Sequence, residues 1–356
     1  MFRKNTRLLI LVLYAVFIKV FSLFSNAVEQ YYSNGLYPYI AGLQRVLLGW
    51  IPFSVGDLFY GAAGIWLIAQ LVKVIKRIKS RETSIPYLKK TAVNSISGVL
   101  LVYVIFNSLW GLNYNRVGIR QQLQLKDNEY TNAELTTVTQ LLAEKMNALQ
   151  SASERSRPAL AVKKQLFRQA VQSYANIKQA PFLQYSFPSV KPSLYSYLGN
   201  YLGFTGYYNP FSGEAQVNTA VPLFIRPFTT CHEIGHQLGY AKESEANFAG
   251  YLSAAASEDS SFLYSVYFDM YLYASRYLYV SDSAALRKIR EQFSPGVVND
   301  RKELSRFFQS YSNPAGELID RLYSNYLRAN EQPSGKLSYN EVIAMLIAYY
   351  KKYGRI

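Results

Sequence analysis

The sequence predicts a mainly α protein: a soluble α+β domain with a short β region, preceded by three transmembrane helices. Three observations predict it. Three long apolar stretches precede residue 113, the composition turns to that of a globular domain at Asn113, and apolar residues then recur mostly at helical spacing. The expected division is a membrane anchor over residues 1–112 and a globular domain over residues 113–356.

A bilayer crossing needs about 20 residues of apolar helix. The first stretch runs from about residue 8 to 24, broken only by Lys19, which can snorkel or face a neighbouring helix. A signal peptide is the rival reading, and the basic start at Arg3, Lys4 and Arg7 suits both. No small-residue cleavage site follows beyond the weak Ser25-Asn26-Ala27, so a retained span is expected. The second stretch covers about 51–72, with Asp57 near its start, and the third about 91–112.

Charge orients these spans. Lys73, Lys76, Arg77, Lys79, Arg81, Lys89 and Lys90 lie between the second and third, whereas Arg45 alone is basic between the first and second. The positive-inside rule places the N-terminus and the basic loop in the cytoplasm. Three crossings then leave residues 113–356 on the outer side of the cytoplasmic membrane; two or four would reverse this. The net charge of +15 therefore needs no nucleic acid. Residues 1–112 hold 12 Lys and Arg against 3 acids, the remainder 26 against 20, so most of the excess flanks apolar stretches. No nucleic-acid-reading motif accompanies it, and the expected partner is the lipid bilayer. With one cysteine, Cys231, there is no intrachain disulfide framework, which leaves the redox compartment open.

In the domain, Thr131 and Glu134 form a capping-box pattern ahead of Leu135, Val138, Leu141, Leu142 and Leu149 at helical spacing. A second helix is expected over about 160–177, then an irregular stretch marked by Pro181, Pro188 and Pro192. Turn residues Gly203, Gly206, Asn209, Pro210 and Gly213 precede a short extended run, Glu214–Val221. Helices are expected around the two histidines, over 243–256 and over 261–280. Asp269 and Arg276 make the last a core helix rather than a fourth span. The tail from Gly316 reads as two helices broken at Pro333–Gly335.

Chemistry concentrates at Cys231-His232-Glu233-Ile234-Gly235-His236. Residues i and i+4 share one helix face, so His232 and His236 can reach one ion while Glu233 stands beside it as a base for a metal-activated water. These are the chain's only histidines; chance would place two so, with Glu between, on the order of once in several thousand such sequences. A catalytic zinc takes three protein ligands and keeps one position open. The third ligand must be a carboxylate or, less plausibly, Cys231, which points to another helix face and reads as packing. Gly239 is expected to end the first helix, and a second begins near Lys242. Glu243 and Glu245 compete. Glu243 shares a face with Asn247, Gly250 and Ala254, where small residues permit close approach and Asn247 can hydrogen-bond a ligand imidazole. Glu245 shares its face with Ala249, Leu252 and Ala256, so it is the alternative. The Glu214–Val221 strand is expected either to offer its edge to a peptide or to be plainly structural. Tyr207, Tyr208, Arg226 and Tyr339 are candidate transition-state stabilisers, but among 32 tyrosines none stands out and substrate-binding residues stay unassigned.

These residues resemble the zincin metallopeptidases, specifically the gluzincin branch, in which HExxH is followed by a Glu ligand in E-x-x-x-D; Glu243 and Asn247 match that spacing, with Asn for Asp. The Glu-Ser-Glu-Ala-Asn run is also similar to the helix of ImmA/IrrE-type metallopeptidases. The interval of six residues between His236 and Glu243 is shorter than gluzincins usually have, and Lys242 occupies the place of the metzincin third ligand. Over its whole length the chain resembles an uncharacterised family of bacterial membrane-anchored HExxH proteins, through Trp110-Gly111-Leu112-Asn113-Tyr114 and Gly206-Tyr207-Tyr208-Asn209-Pro210. The expected activity is zinc-dependent (Zn2+) hydrolysis of peptide bonds in a peptide or protein substrate, with Glu233 as general base. The alternatives are a non-catalytic zinc-binding sensor or scaffold, and hydrolysis of a non-protein amide of the cell envelope.

Overall fold

Apolar length sets the first layer of the architecture. The computed structural model describes residues 2–81, 84–126, 129–314 and 339–356, with 316, 321, 322, 324, 325 and 328 between them. The chain opens with α1 (Phe2–Ser22), then α2 (Ser25–Ala27), a π-helical stretch Val28–Leu36 and α3 (Tyr37–Leu48). Next come α4 (Val55–Lys79) and α5 (Ile85–Leu109), each long and apolar enough to cross a membrane. A third crossing is reached only if Thr6–Ser22 and Ser25–Leu48, which meet at a bend of 100°, count as one.

The run 25–48, for which no element was expected, is helical and two-faced. Val28, Tyr32, Tyr37 and Ala41 are buried, whereas Tyr39, Leu43, Val46 and Leu47 are exposed. The buried face packs with Trp110, Leu112, Tyr114, Tyr208 and Ala241 in a core of its own. Burying side chains of this size contributes about 1.5–3 kcal/mol each, enough to fix the run in place. Composition changes at residue 113; packing does not.

The N-terminal end of α4 is fastened by hydrogen bonds. Ser54 caps it by accepting from Asp57 N, and the carboxylate of Glu214 accepts from Val55 N (3.1 Å) and Gly56 N (2.7 Å). A carboxylate there satisfies orphan amides and complements the helix dipole. Asp57 in turn accepts from Leu194 N (2.7 Å) and the Tyr207 hydroxyl (2.6 Å).

The domain is mainly helical: α6 (Ile119–Gln122), α7 (Asn132–Ser156), α8 (Lys163–Ala175), α9 (Ser196–Leu202), α10 (Arg226–Gln237), α11 (Glu243–Ala254), α12 (Ser260–Ser281), α13 (Ser283–Glu291), α14 (Pro295–Ser310) and α15 (Tyr339–Tyr353). The capping box of Thr131 and Glu134 starts α7 as expected. Helix α12 packs along α7 with Phe262, Phe268, Met270, Tyr271 and Leu278 fully buried, so it is a core helix and not a span. Helices α13 and α14, unassigned by the sequence reading, start at side-chain caps from Asp282 and Ser294. The expected break at Pro333–Gly335 lies outside the described residues.

One small sheet interrupts the helices, in the order β1 (Val190–Pro192), β3 (Glu214–Val217), β2 (Gly206–Asn209). Strand β3 pairs parallel with β1 and antiparallel with β2, with Tyr208 opposite Ala215. This corrects the expected role of Glu214–Val221. The strand ends at Val217 and is central, so both its edges are occupied, and the edge beside the site belongs to β2.

Candidate metal centre

Helix α10 carries the HExxH residues, and its ends are held by other elements. At the N-terminal end Pro227 needs no partner and Phe228 N donates to Ser265 Oγ of α12 (3.0 Å). At the C-terminal end four carbonyls, of His236, Gln237, Leu238 and Gly239, accept from the side chains of residues 37, 110 and 116. Trp110 Nε1 donates to His236 O (3.0 Å), Tyr37 to Gln237 O (2.8 Å), and Arg116 Nη1 to Leu238 O and Gly239 O. Gly239 follows with φ +86°, where the chain turns toward α11. Helix α11 then crosses α10 closely: a Cβ on Gly250 would lie 3.0 Å from His232 N.

That crossing brings the side chains together. His232 Nε2 lies 3.4 Å from Glu243 Oε2 and His236 Nε2 lies 3.6 Å from Glu243 Oε1. Ligand-capable atoms of His232, Glu233 and His236 also fall within 4.8 Å of one another. The two carboxylates stand differently. Glu243 meets both Nε2 atoms, while Glu233 lies against β2, where a Cβ on Gly206 would come 2.5 Å from its Oε1. Two ligands at about 2.1 Å from a tetrahedral zinc sit about 3.4 Å apart. The spacing of the two nitrogens from Glu243 fits such an ion, and nitrogen, nitrogen and carboxylate oxygen are a donor set that zinc accepts.

Electrostatics separate the same two acids. Burial raises Glu243, but the His232 and His236 imidazoles against it hold it well below the usual carboxylate range. Burial pushes Glu233 up to about 7, against the pull of both imidazoles. Burial lowers His236, yet contact with Glu243 outweighs it and leaves the imidazole raised. Its Nδ1 faces Tyr240 O at 2.8 Å, which fixes the ring and leaves Nε2 for the site. Glu233 Oε2 and His232 Nδ1 are buried without a hydrogen-bond partner among the described residues.

The other sequence candidates are dispersed. Glu245 turns away and accepts from Ile119 N at the start of α6, beside Gly118. Asn247 hydrogen-bonds neither imidazole; its Oδ1 accepts from Tyr273 (3.4 Å) and its Nδ2 is unpartnered among the described residues. Cys231 is fully buried, and burial pushes its thiol up to about 12, consistent with packing. Tyr207 and Tyr208 line the cleft over the site, whereas Arg226 donates to Val221 O in a separate hollow. The Tyr339 side chain lies outside the described residues.

The cleft holds about 690 Å³, and among the lining residues that sequence reasoning did not place there are Trp110, Asp269 and Tyr273. Trp110 entered only as part of a family likeness, although it packs its ring against His236 and binds its carbonyl. Asp269 carried a signal, a carboxylate on an apolar aromatic helix. Its Oδ2 is buried without a partner among the described residues, and burial pushes the carboxyl up to about 8.

A family model described as a protein of unknown function (DUF3810) matches residues 32–347. No curated protein and no solved structure matches the chain.

Proposed function

The chain belongs to the DUF3810 family, and we propose that it is a membrane-anchored, zinc-dependent peptidase of the cytoplasmic membrane with its cleft on the outer side. One observation carries the reading: two imidazole Nε2 atoms and the Glu243 carboxylate converge at 3.4 and 3.6 Å with a second, buried carboxylate beside them. His232, His236 and Glu243 would hold the ion. Zinc so bound supplies a Lewis acid that lowers the pKa of water and polarises a carbonyl.

The rest is done by the chain. Glu233 takes the proton of the attacking water; the water oxygen joins the carbonyl carbon, the C–N bond breaks, and Glu233 returns the proton to the leaving amine. The edge of β2, unpaired among the described residues, rather than β3, takes an extended substrate by strand addition, and Gly206 keeps that edge close to Glu233. The basic residues from Lys73 to Lys90 support the outward orientation, as the positive-inside rule requires.

The test is metal content and peptide-library cleavage for the full chain and its Glu243→Ala, Glu245→Ala and Glu233→Gln variants. Expected are about one zinc per chain, lost only in Glu243→Ala, and cleavage reduced about 10²–10⁴-fold in Glu233→Gln with metal retained. Zinc without cleavage of any peptide would support a sensor or a non-peptide amide substrate instead. A folded chain without zinc overturns the reading.

A further inference from the structure

The cleft does not end at the metal centre. On one side it holds His232, Glu233, His236, Glu243, Asn247 and Asp269; on the other its wall is made by the spans themselves, through Val99, Val102, Tyr103 and Phe106 of α5 and Tyr60 of α4. Positions 99, 102, 103 and 106 share one face of a helix. Val99 and Val102 are 71% and 57% exposed, although each lies on a helix long enough to cross the bilayer. Val99 stands ten residues before Leu109, the end of α5, so the wall descends about 15 Å along the helix axis, roughly half of a hydrocarbon core. Polarity therefore changes along one continuous cleft, from carboxylates and imidazoles to aliphatic and aromatic side chains open to lipid.

A second observation sets the level of the membrane. Helix α9 exposes Tyr197, Leu198 and Tyr201, and it is tied to the outer end of α4 by Asp57, which binds Leu194 N and accepts through its carbonyl from Tyr195. Exposed tyrosines at the end of a span sit where aromatic residues collect, at the headgroups. Leu202, Gly203 and Phe204, directly after α9, form the cleft rim. The metal centre thus opens onto the bilayer interface.

Resting on the peptidase reading above, we infer that the substrate is a bilayer-anchored polypeptide. Its apolar membrane segment lies against the α4–α5 wall, and its first extended residues outside the bilayer pair with β2 over the metal centre. The β2 edge, unpaired among the described residues, favours a polypeptide over a lipid, because strand addition needs a peptide backbone. The exposed Val99–Val102 face favours a membrane-borne substrate over a soluble one, since a water-soluble peptide has no use for a wall inside the hydrocarbon layer.

The experiment places the full zinc-loaded chain in phosphatidylcholine–phosphatidylglycerol vesicles with one randomised peptide stretch presented three ways. It is free in solution, joined to a single apolar helix, or joined to a dialkyl lipid. Initial rates and cut positions are read by mass spectrometry. Expected is cleavage of the helix-joined form about tenfold faster than the lipid-joined form, with cuts within a few residues of the helix end. Val102→Trp should lower the helix-joined rate relative to the free rate by about tenfold, whereas Leu67→Trp, elsewhere on α4, leaves that ratio unchanged. Equal rates for helix-joined and lipid-joined forms would reduce the effect to co-localisation and overturn the inference. Equal rates for free and joined forms would overturn it while leaving the peptidase intact. Failure of all three with zinc bound sinks the peptidase reading itself, a separate result.

Discussion

The two halves of the candidate centre are built in opposite ways. Helices α10 and α11 place His232, Glu233, His236 and Glu243 by spacing within twelve residues of chain, a local arrangement. The support of α10 comes from far away: Tyr37 and Trp110 are separated from the carbonyls they bind by 200 and 126 positions. The candidate ligands are therefore spaced locally, and their positioning is supplied by the segment that carries the long apolar helices. A site of this kind cannot be lifted out of its anchor.

The largest expected effect follows directly. Residues 113–356 produced alone lose Trp110 and Tyr37, the Glu29 partner of Arg116, and every residue of the smaller core ahead of 113. Truncating one buried Trp costs about 3–5 kcal/mol, and a domain has only about 5–15 in total. The fragment should show a broad, early melt and at least about tenfold weaker zinc binding than the full chain in detergent. A fragment that melts sharply within a few degrees of the full chain and holds stoichiometric zinc would break the comparison.

What the sequence disclosed follows the same division. The HExxH spacing on α10 and the capping box at Thr131 rest on contacts within a few turns, and periodicity carries that information. The core nature of α12 was legible from Asp269 and Arg276 within an apolar run, although the contacts that bury it come from α7. The helical run 25–48 was not legible, because a π-helical stretch and an amphipathic α3 with Pro38 near its start lack a clean 3.6-residue period. The edge role of β2 was hidden too: strand order depends on Val190–Pro192, a three-residue strand preceded by Pro188 and remote in sequence. Asn247 was expected to serve an imidazole because it shares a face with Glu243. Its partner Tyr273 comes from α12, and no local spacing announces that contact.

A smaller effect sharpens the comparison at a single junction. Arg116 binds Glu29 through two hydrogen bonds (2.8 and 3.0 Å), stacks over Tyr240 and caps α10, with side-chain exposures of 6% and 15% for the pair. Removing one partner of a buried pair costs about 3–5 kcal/mol, so Arg116→Ala and Glu29→Ala should each lower the melting temperature clearly. The double variant should cost well under the sum. Additive losses would mean that the two side chains act separately and that no link runs through them.

Asp269 tests the domain side without the anchor. Its carboxyl is raised to about 8 by burial, so the folded chain holds a proton that the unfolded chain releases near pH 4. The unfolded state then binds fewer protons, and this group's contribution to stability falls as pH rises from about 4 to 8 and levels above that. Asp269→Asn removes the dependence. The variant should gain over wild type as pH rises, by on the order of 4 kcal/mol between pH 4.5 and pH 8, read as melting temperature against pH. A difference independent of pH would show that the carboxyl is ionised throughout.

The smallest effect lies inside α11, where two glutamates two residues apart belong to different halves of the centre. Glu243 faces the imidazoles; Glu245 faces Ile119 N and Gly118, in the segment that follows Arg116. Burial raises the Glu245 carboxyl, while its hydrogen bond from Ile119 N and the nearby Lys242 and Arg116 lower it. Glu245→Gln keeps an acceptor oxygen for Ile119 N, and the expected cost is about 1 kcal/mol with zinc content unchanged. Glu243→Gln leaves the same helix its length and hydrogen bonds but removes the charge between two imidazoles, and zinc should be lost. If Glu245→Gln releases the metal and Glu243→Gln keeps it, the local half of the centre is assigned to the wrong carboxylate, and the contact of Glu243 with both Nε2 atoms does not mark the ligand.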